Sequence, residues 1–123
     1  MGPRVVVAGY FVRYPLGGYA WQALHFLAGL RALGCQVLFY EDSAYYAYAY
    51  IPGAAAMQAD DYSHGVAQAD AFFAAHGFGD RWTFWDAGRD RYYGADAARV
   101  RAALHDADLV VNLGGVNRLA RER

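Results

Sequence analysis

The residues Arg4 to Gly9 (RVVVAG) form a short run dense in valine, without the polar alternation of a half-buried strand. A strand of this composition is expected to be buried on both faces, as in a parallel sheet covered by helices. The segment that follows, Tyr19 to Leu33, places apolar residues at three- and four-residue steps, which is helical spacing. Gly34 comes next, where helices often end in a left-handed residue. The chain therefore opens with a buried strand and a helix.

Strands and helices continue to alternate along the chain. Apolar runs and helical spacing predict the further elements at Gln36–Tyr40 (strand), Ser63–His76 (helix), Trp82–Trp85 (strand), Ala97–Asp106 (helix) and Asp108–Leu113 (strand). Ser63 and Asp96 are candidate N-caps of the later helices. The order β-α-β-α-β-α-β predicts an α/β fold, a Rossmann-like three-layer domain with a mostly parallel sheet, spanning residues 1–123.

Composition excludes several classes of function. The 11 basic and 12 acidic residues nearly cancel, which argues against nucleic-acid binding. The sequence contains no lysine, so a P-loop is excluded. Cys35 is the only cysteine, and no apolar run approaches the ~18 residues of a spanning helix. No metal-ligand spacing is present. These features predict a cytoplasmic protein without an internal disulfide, a metal or a transmembrane segment.

The unusual residues of this sequence follow the ends of the predicted strands. In parallel sheets these ends share one edge, and ligands bind there. The candidate substrate- or phosphate-binding residues on that edge are Arg13, Tyr14, Gly17, Gly18, Tyr19, Gly114, Gly115 and Asn117. Glu41 and Asp42 end the second strand at the same edge, where a dinucleotide-binding fold would place its ribose-binding acid.

Gly17 and Gly18 are the sharpest of these features. Without side chains, they let an anion approach the free N–H groups at the positive end of the helix dipole. Alternatively, they only permit a tight entry into the helix. Arg13 could likewise pair with an anionic substrate or be an ordinary surface arginine.

The tyrosine- and alanine-rich stretch between the second strand and the second helix shows no clear period and is expected to be an ordered surface excursion. Its aromatic residues could form a platform for a sugar ring, or simply pack on the domain. They are Tyr45, Tyr46, Tyr48 and Tyr50.

The run VVVAGYFVRYPLGGYAWQALHFLAGLRALGCQVLFYED resembles the opening of a GT-B glycosyltransferase, with a buried strand, a loop ending in Gly-Gly, a helix and an aromatic strand ending in acid. The segments GDRWTFWD, RYYG and ADLVVNLGGVN are similar to the same bacterial group. The resemblance implies two Rossmann-like domains facing each other across a cleft. This chain would be the amino-terminal, acceptor-side domain, and the carboxy-terminal donor domain would be absent.

The resemblance also implies roles for individual residues. Gly17 and Gly18 would lie near the donor diphosphate or an acceptor anion, and Gly114, Gly115 and Asn117 would line the same cleft. The reaction would move a sugar from a nucleotide-sugar co-substrate to an acceptor hydroxyl, without a metal or further cofactor. Many such enzymes carry a catalytic histidine or acid in the cleft, and Glu41 and Asp42 are the only acids at a strand end that are placed for this role. The isolated chain is not expected to catalyse efficient transfer.

Two alternatives stay open at this point. A dehydrogenase- or epimerase-like domain would bind NAD(P) through the Gly17 turn and Glu41, although the G-x-G-x-x-G spacing is absent. A non-catalytic binding or assembly module would instead pair an open sheet edge with another chain.

Overall fold

In a computed structural model, which describes residues 2–53 and 60–118, the chain is an α/β domain with three helices and a five-stranded, mostly parallel sheet. The elements in chain order are β1 (Arg4–Ala8), α1 (Gly17–Ala32), β2 (Gln36–Asp42), α2 (Ser63–Ala75), β3 (Trp82–Asp86), β4 (Arg91–Gly94), α3 (Ala97–Asp106) and β5 (Leu109–Asn112). The strand order is β4-β3-β2-β1-β5, and only β4 runs antiparallel to its neighbour. The predicted fold class and the alternation of strands and helices are confirmed at this level.

The strand β4 is absent from the sequence-based prediction, which assigned no element between β3 and α3. The chain reverses after Asp86 through a turn in which Asp90 has φ +50°, and β4 then pairs with β3. The ring of Tyr92 stacks on Trp85 with centroids 6.0 Å apart. Gly94 ends the strand with φ +79°, and a Cβ there would lie 2.3 Å from the carbonyl oxygen of Trp82. The sequence of β4 is too short to predict a strand by its own pattern, and its pairing with β3 identifies it.

Helices cover both faces of the sheet. On one face, Val5 and Val7 of β1 pack in a cluster with residues of α1 and α2. On the other face, Val6 and Ala8 pack with α3 residues, including Val100. The strand β1 therefore contributes alternate side chains to two separate cores, which explains why its sequence is apolar throughout.

The helix ends test the predicted capping residues. Gly34 follows α1 with φ +90°, as predicted. Asp96 caps α3, its carboxylate accepting a hydrogen bond from the Arg99 amide at 2.9 Å. Ser63 is not an N-cap, because it is the first residue of α2 and its hydroxyl donates to Asp61 at 2.7 Å.

The strand order reverses beside β1. The chain passes from β1 through β2 to β3 on one side, and α3 then returns it so that β5 lies on the other side of β1. The carboxyl ends of β1 and β5 therefore flank the point of reversal, where ligands bind in open α/β sheets. The predicted excursion after β2 contains no helix in its described residues, and residues 54–59 lie outside them. No helix in the described ranges is long and apolar enough to cross a membrane.

Candidate functional site

A cleft of ≈ 450 Å³ lies at the carboxyl ends of β1 and β5. Its walls come from the loop after β1, the first turns of α1, the loop after β2 and the loop after β5. We call it the tyrosine cleft, and its lining residues are Tyr10, Tyr19, Gln22, Tyr46, Leu113, Gly114 and Val116. The cleft therefore occupies the crevice in which this topology places a ligand.

The loop after β1 and the start of α1 together carry a cluster of three tyrosines beside the cleft. The ring of Tyr10 lies 6.1 Å from that of Tyr14 and 5.2 Å from that of Tyr19, centroid to centroid. The rings of Tyr14 and Tyr19 are 5.9 Å apart, and Tyr50 packs on Tyr14 at 5.7 Å. Such edge-to-face and offset contacts stabilise aromatic clusters. The aromatic residues of this loop therefore pack with the start of α1 beside the cleft, and Tyr10 contributes to its lining.

Among residues 2–53 and 60–118, those that line the tyrosine cleft include no charged side chain. Its polar groups are the tyrosine hydroxyls, the amide of Gln22 and the backbone around Gly114. Gly114 and Gly115 have φ values of +77° and +66°, a conformation that favours glycine. Tyrosine offers an apolar ring face and a hydroxyl together, so this surface suits an uncharged ring that carries hydroxyl groups.

The first two residues of α1, Gly17 and Gly18, lie exposed beside the cleft. A Cβ at either position would meet nothing within 4 Å, and neither glycine has a positive φ. Leu16 provides no side-chain cap for the helix, and its first turn contains no acidic residue. Packing therefore gives no reason for glycine at these two positions.

Glu41 lies behind the cleft wall and is fully buried. Its carboxylate accepts hydrogen bonds from the amides of Phe11, Val12 and Arg13 at 2.6, 2.8 and 3.0 Å. The Nε of Arg13 donates a fourth at 2.9 Å. Four donors fill the lone pairs of a carboxylate. This geometry favours a structural role for Glu41 over that of a general base.

Arg13 is also fully buried, so the interpretation as an ordinary surface arginine is wrong. Besides Glu41, its guanidinium donates to the carbonyl oxygen of Tyr46 at 3.0 Å and to that of Val116 at 3.4 Å. It also donates to Oδ1 of Asn117 at 3.2 Å. Arg13 therefore lies under the cleft and connects the loops that surround it.

Asp42 and Asn117 belong to the same buried network. Oδ1 of Asn117 accepts from the Asp42 amide at 2.9 Å, and its Nδ2 donates to the Gly9 carbonyl at 2.9 Å. The Asp42 carboxylate accepts from the Tyr40 hydroxyl and from the Arg118 amide, each at 2.9 Å. These side chains tie the end of β2 to the loop after β5.

The structure thus separates the predicted site residues into three groups. Tyr19 and Gly114 line the cleft, whereas Tyr14, Gly17, Gly18 and Gly115 lie in the segments that form its rim. The residues behind the wall are Arg13, Glu41, Asp42 and Asn117. Tyr46, which was predicted as part of a possible aromatic platform for a sugar ring, also lines the cleft. Sequence reasoning missed the remaining lining residues, Tyr10, Gln22, Leu113 and Val116. Only Tyr10 carried a signal, as an aromatic residue directly after the first strand.

A smaller cavity of ≈ 190 Å³ lies at the opposite end of the sheet, near the starts of β1 and β2. Arg4, which lines it, already pairs with Asp106 at 3.2 Å. Ligands of parallel sheets bind at the carboxyl ends of the strands, so we place the functional site in the tyrosine cleft.

Burial raises the pKa of Tyr10 above its ordinary value of 10.0; nearby Arg13 opposes the increase and Glu41 adds to it. The stability that depends on the neutral phenol is present below pH 10.0 and is lost as the pH rises through the folded-state pKa.

We expect Tyr10→Phe to remove one tyrosine ionisation from the high-pH end of the phenolate absorbance titration. The variant should also lose less stability at alkaline pH, because the ionisation of Tyr10 no longer opposes folding. Burial also raises the pKa of Tyr62, and because Tyr62 remains in the variant, its ionisation remains in the titration. An unchanged alkaline end of the titration would contradict this expectation.

Comparison with known proteins assigns no family: neither the models of protein families nor the curated proteins gave a match. The candidate site is therefore defined by its geometry. It is a tyrosine-lined cleft, without a charged lining residue in the described part of the chain, at the point where the strand order of the mostly parallel sheet reverses, and a buried ionic network lies behind it.

Proposed function

We propose that this chain is the Rossmann-like, acceptor-side domain of a GT-B glycosyltransferase and that the tyrosine cleft binds a sugar-bearing substrate. The donor-binding half of the enzyme would be a second domain facing the cleft. The observation that carries the proposal is the position and lining of the cleft, at the reversal of strand order and with phenol groups on several sides. The resemblance of the opening segment to GT-B enzymes supports it.

The cleft would hold a ring, and the start of α1 an anion. Uncharged walls favour a neutral hydroxylated ring in the cleft, because a phosphate placed there would lose hydration without gaining a counter-charge. The exposed amides of Gly17 and Gly18 lie at the positive end of the α1 dipole, which suits the diphosphate of a donor or an anionic group of an acceptor.

Catalysis would need groups beyond Glu41 and Asp42. Both carboxylates are fully buried, and their hydrogen bonds go to the protein itself. Since a general base must reach the proton that it removes, we assign these acids to the framework of the site. The isolated chain should then bind substrate without efficient transfer.

The two alternatives differ in how the structure bears on them. An NAD(P) site would use Glu41 to hold a ribose, but its carboxylate is occupied by the loop after β1. An assembly module gains support from β5, which has no further neighbouring strand among the described residues and leaves Leu109 53% exposed. Oligomers without affinity for nucleotide-sugars would favour that alternative.

The test is an amide NMR titration with UDP-glucose and other nucleotide-sugars, with NAD as the competing ligand. We expect nucleotide-sugars alone to shift the amides of Gly17, Gly18 and Gly114. Shifts caused by NAD would favour the dehydrogenase-like alternative. No response to any nucleotide-sugar would contradict the proposed donor contact.

Gly18→Val should weaken nucleotide-sugar binding at least about tenfold, or about 1.4 kcal/mol. The new side chain would stand where we place the anion. Stability should change by only about 1 kcal/mol or less, since a Cβ at Gly18 has open space around it. Calorimetric titration and thermal denaturation measure the two effects.

Gly29→Val is the matched control, because Gly29 also lies in α1 with nothing within 4 Å of a Cβ. It should bind as the unchanged protein does. If Gly18→Val keeps full affinity, or loses stability with no effect on binding, the two glycines serve only the helix entry.

A further inference from the structure

Arg13 contacts three residues of the tyrosine cleft without lining it. Its guanidinium donates to the carbonyl oxygens of Tyr46 and Val116 and lies 4.8 Å from the centroid of the Tyr10 ring. These residues belong to the loops after β2, β5 and β1, respectively. A single buried side chain thus connects three walls of the cleft from behind.

Stability alone is a weak reason for this arrangement. Burying an ion pair such as Arg13–Glu41 removes both charges from water, and well-packed apolar residues often stabilise a fold equally well. What an apolar residue cannot supply is the planar set of five N–H donors that reaches several acceptors in fixed directions. Arg13 directs its donors to Glu41, Tyr46, Val116 and Asn117.

Asn117 completes the connection. It accepts from Arg13 and from the Asp42 amide and donates to the Gly9 carbonyl, so it anchors the loop after β5 to the ends of β1 and β2. Between Leu113 and Asn117, that loop contains two glycines with positive φ, which offer the backbone little restriction of their own. Its position depends on the side chains that hold it.

We propose that Arg13 is a positioning residue: together with Asn117 it holds the three loops in the one arrangement that forms the tyrosine cleft, and ligand affinity depends on it although it never touches the ligand. The part of this inference that concerns ligand affinity rests on the proposed function. The fixing of the loop after β5 can be measured without any ligand.

The ligand-free experiment compares Arg13→Lys with the original protein by amide hydrogen exchange. Lysine keeps the charge beside Glu41 but cannot reach all the acceptors. We expect the Arg118 amide, which donates to Asp42, to exchange at least about tenfold faster. Amides of the central strand, such as Val7, should be unchanged. Arg31→Lys is the control, because Arg31 is exposed and its guanidinium contacts Gly77 and Phe78, which follow α2 and do not line the cleft.

Asn117→Ala tests the same connection if Arg13→Lys does not fold. It leaves the Arg13–Glu41 pair in place and removes the anchor of the loop after β5. It should also accelerate exchange of the Arg118 amide, whereas the Phe11 and Val12 amides stay protected by Glu41. An Arg118 exchange rate equal to the original one in a folded variant would overturn the proposal.

The ligand arm measures UDP-glucose affinity by NMR titration, under conditions in which every variant is fully folded. Both single variants should bind at least about tenfold more weakly. The double variant should lose no more than the weaker-binding single variant, because both residues act through one unit. Original affinity in either folded variant would overturn the positioning role. If even the original protein does not bind, the proposed donor contact fails, and the exchange experiment still decides whether Arg13 fixes the loops.

Discussion

Glu41→Gln should lower the free energy of unfolding by about 3–5 kcal/mol, the cost of leaving one member of a buried ion pair alone. The variant keeps the size of the side chain but leaves the guanidinium of Arg13 buried without its counter-charge. The NH2 group of the glutamine would also face backbone N–H groups of the loop after β1, so that donor faces donor and a hydrogen bond is lost. Urea denaturation followed by circular dichroism measures the change.

Asp80→Asn is the control for removing a carboxylate, because its side chain is 72% exposed and its pairing with Arg81 at 3.8 Å is loose. It should change stability by no more than about 0.5 kcal/mol. The double variant Glu41→Gln/Arg13→Met should be less destabilised than the sum of the single variants, since no charge is then buried alone. A Glu41→Gln variant as stable as Asp80→Asn would show that the buried pair is not needed for folding.

The alternation of strands and helices was predictable because each element carries its own local pattern. The valine run of β1 and the three- and four-residue steps of α1 need no information from distant residues. The strand β4 lacks such a pattern. Its residues become a strand because β3 offers an edge and the turn at Asp90 returns the chain to it.

The meeting of Arg13, Glu41 and Asn117 at one edge of the sheet was predictable, but which of them face the cleft was not. Strand ends and turn chemistry place Arg13, Glu41 and Asn117 at one edge. Whether each faces the ligand or the interior depends on contacts across 28 positions for Arg13–Glu41 and 104 for Arg13–Asn117. One local sign was present: Glu41 and Asp42 continue an apolar strand without a break, and charges in such a strand are usually paired.

The length of the loop after β1 follows from the same network. Glu41 holds three consecutive amides of this loop, at Phe11, Val12 and Arg13, so the chain wraps around one buried carboxylate before α1 begins. That path turns Tyr10 and Tyr14 toward Tyr19. The buried charge thus determines where the aromatic wall of the cleft lies.

Gly65→Ala should destabilise the protein by about 3 kcal/mol and also weaken ligand binding. A Cβ on Gly65 would lie 1.7 Å from the carbonyl oxygen of Val12, so the first turn of α2 rests directly on the loop after β1. The nearest atoms to this Cβ are all backbone atoms of Val12, so no flexible side chain can move aside to make room. Relief requires moving α2 or the loop, and the loop carries Tyr10 and Arg13. Thermal denaturation and UDP-glucose titration measure the two effects.

Gly29→Ala is the matched control, and it should raise the free energy of unfolding rather than lower it. Gly29 lies in the interior of α1 with nothing within 4 Å of a Cβ, so alanine removes the entropic cost of glycine and should stabilise the protein by about 0.5–1 kcal/mol. Its ligand affinity should not change. If Gly65→Ala is as stable as the original protein, the close backbone contact between α2 and the loop after β1 does not limit the side chain at position 65. If it loses stability but binds UDP-glucose with full affinity, the position of α2 matters for folding and not for the cleft.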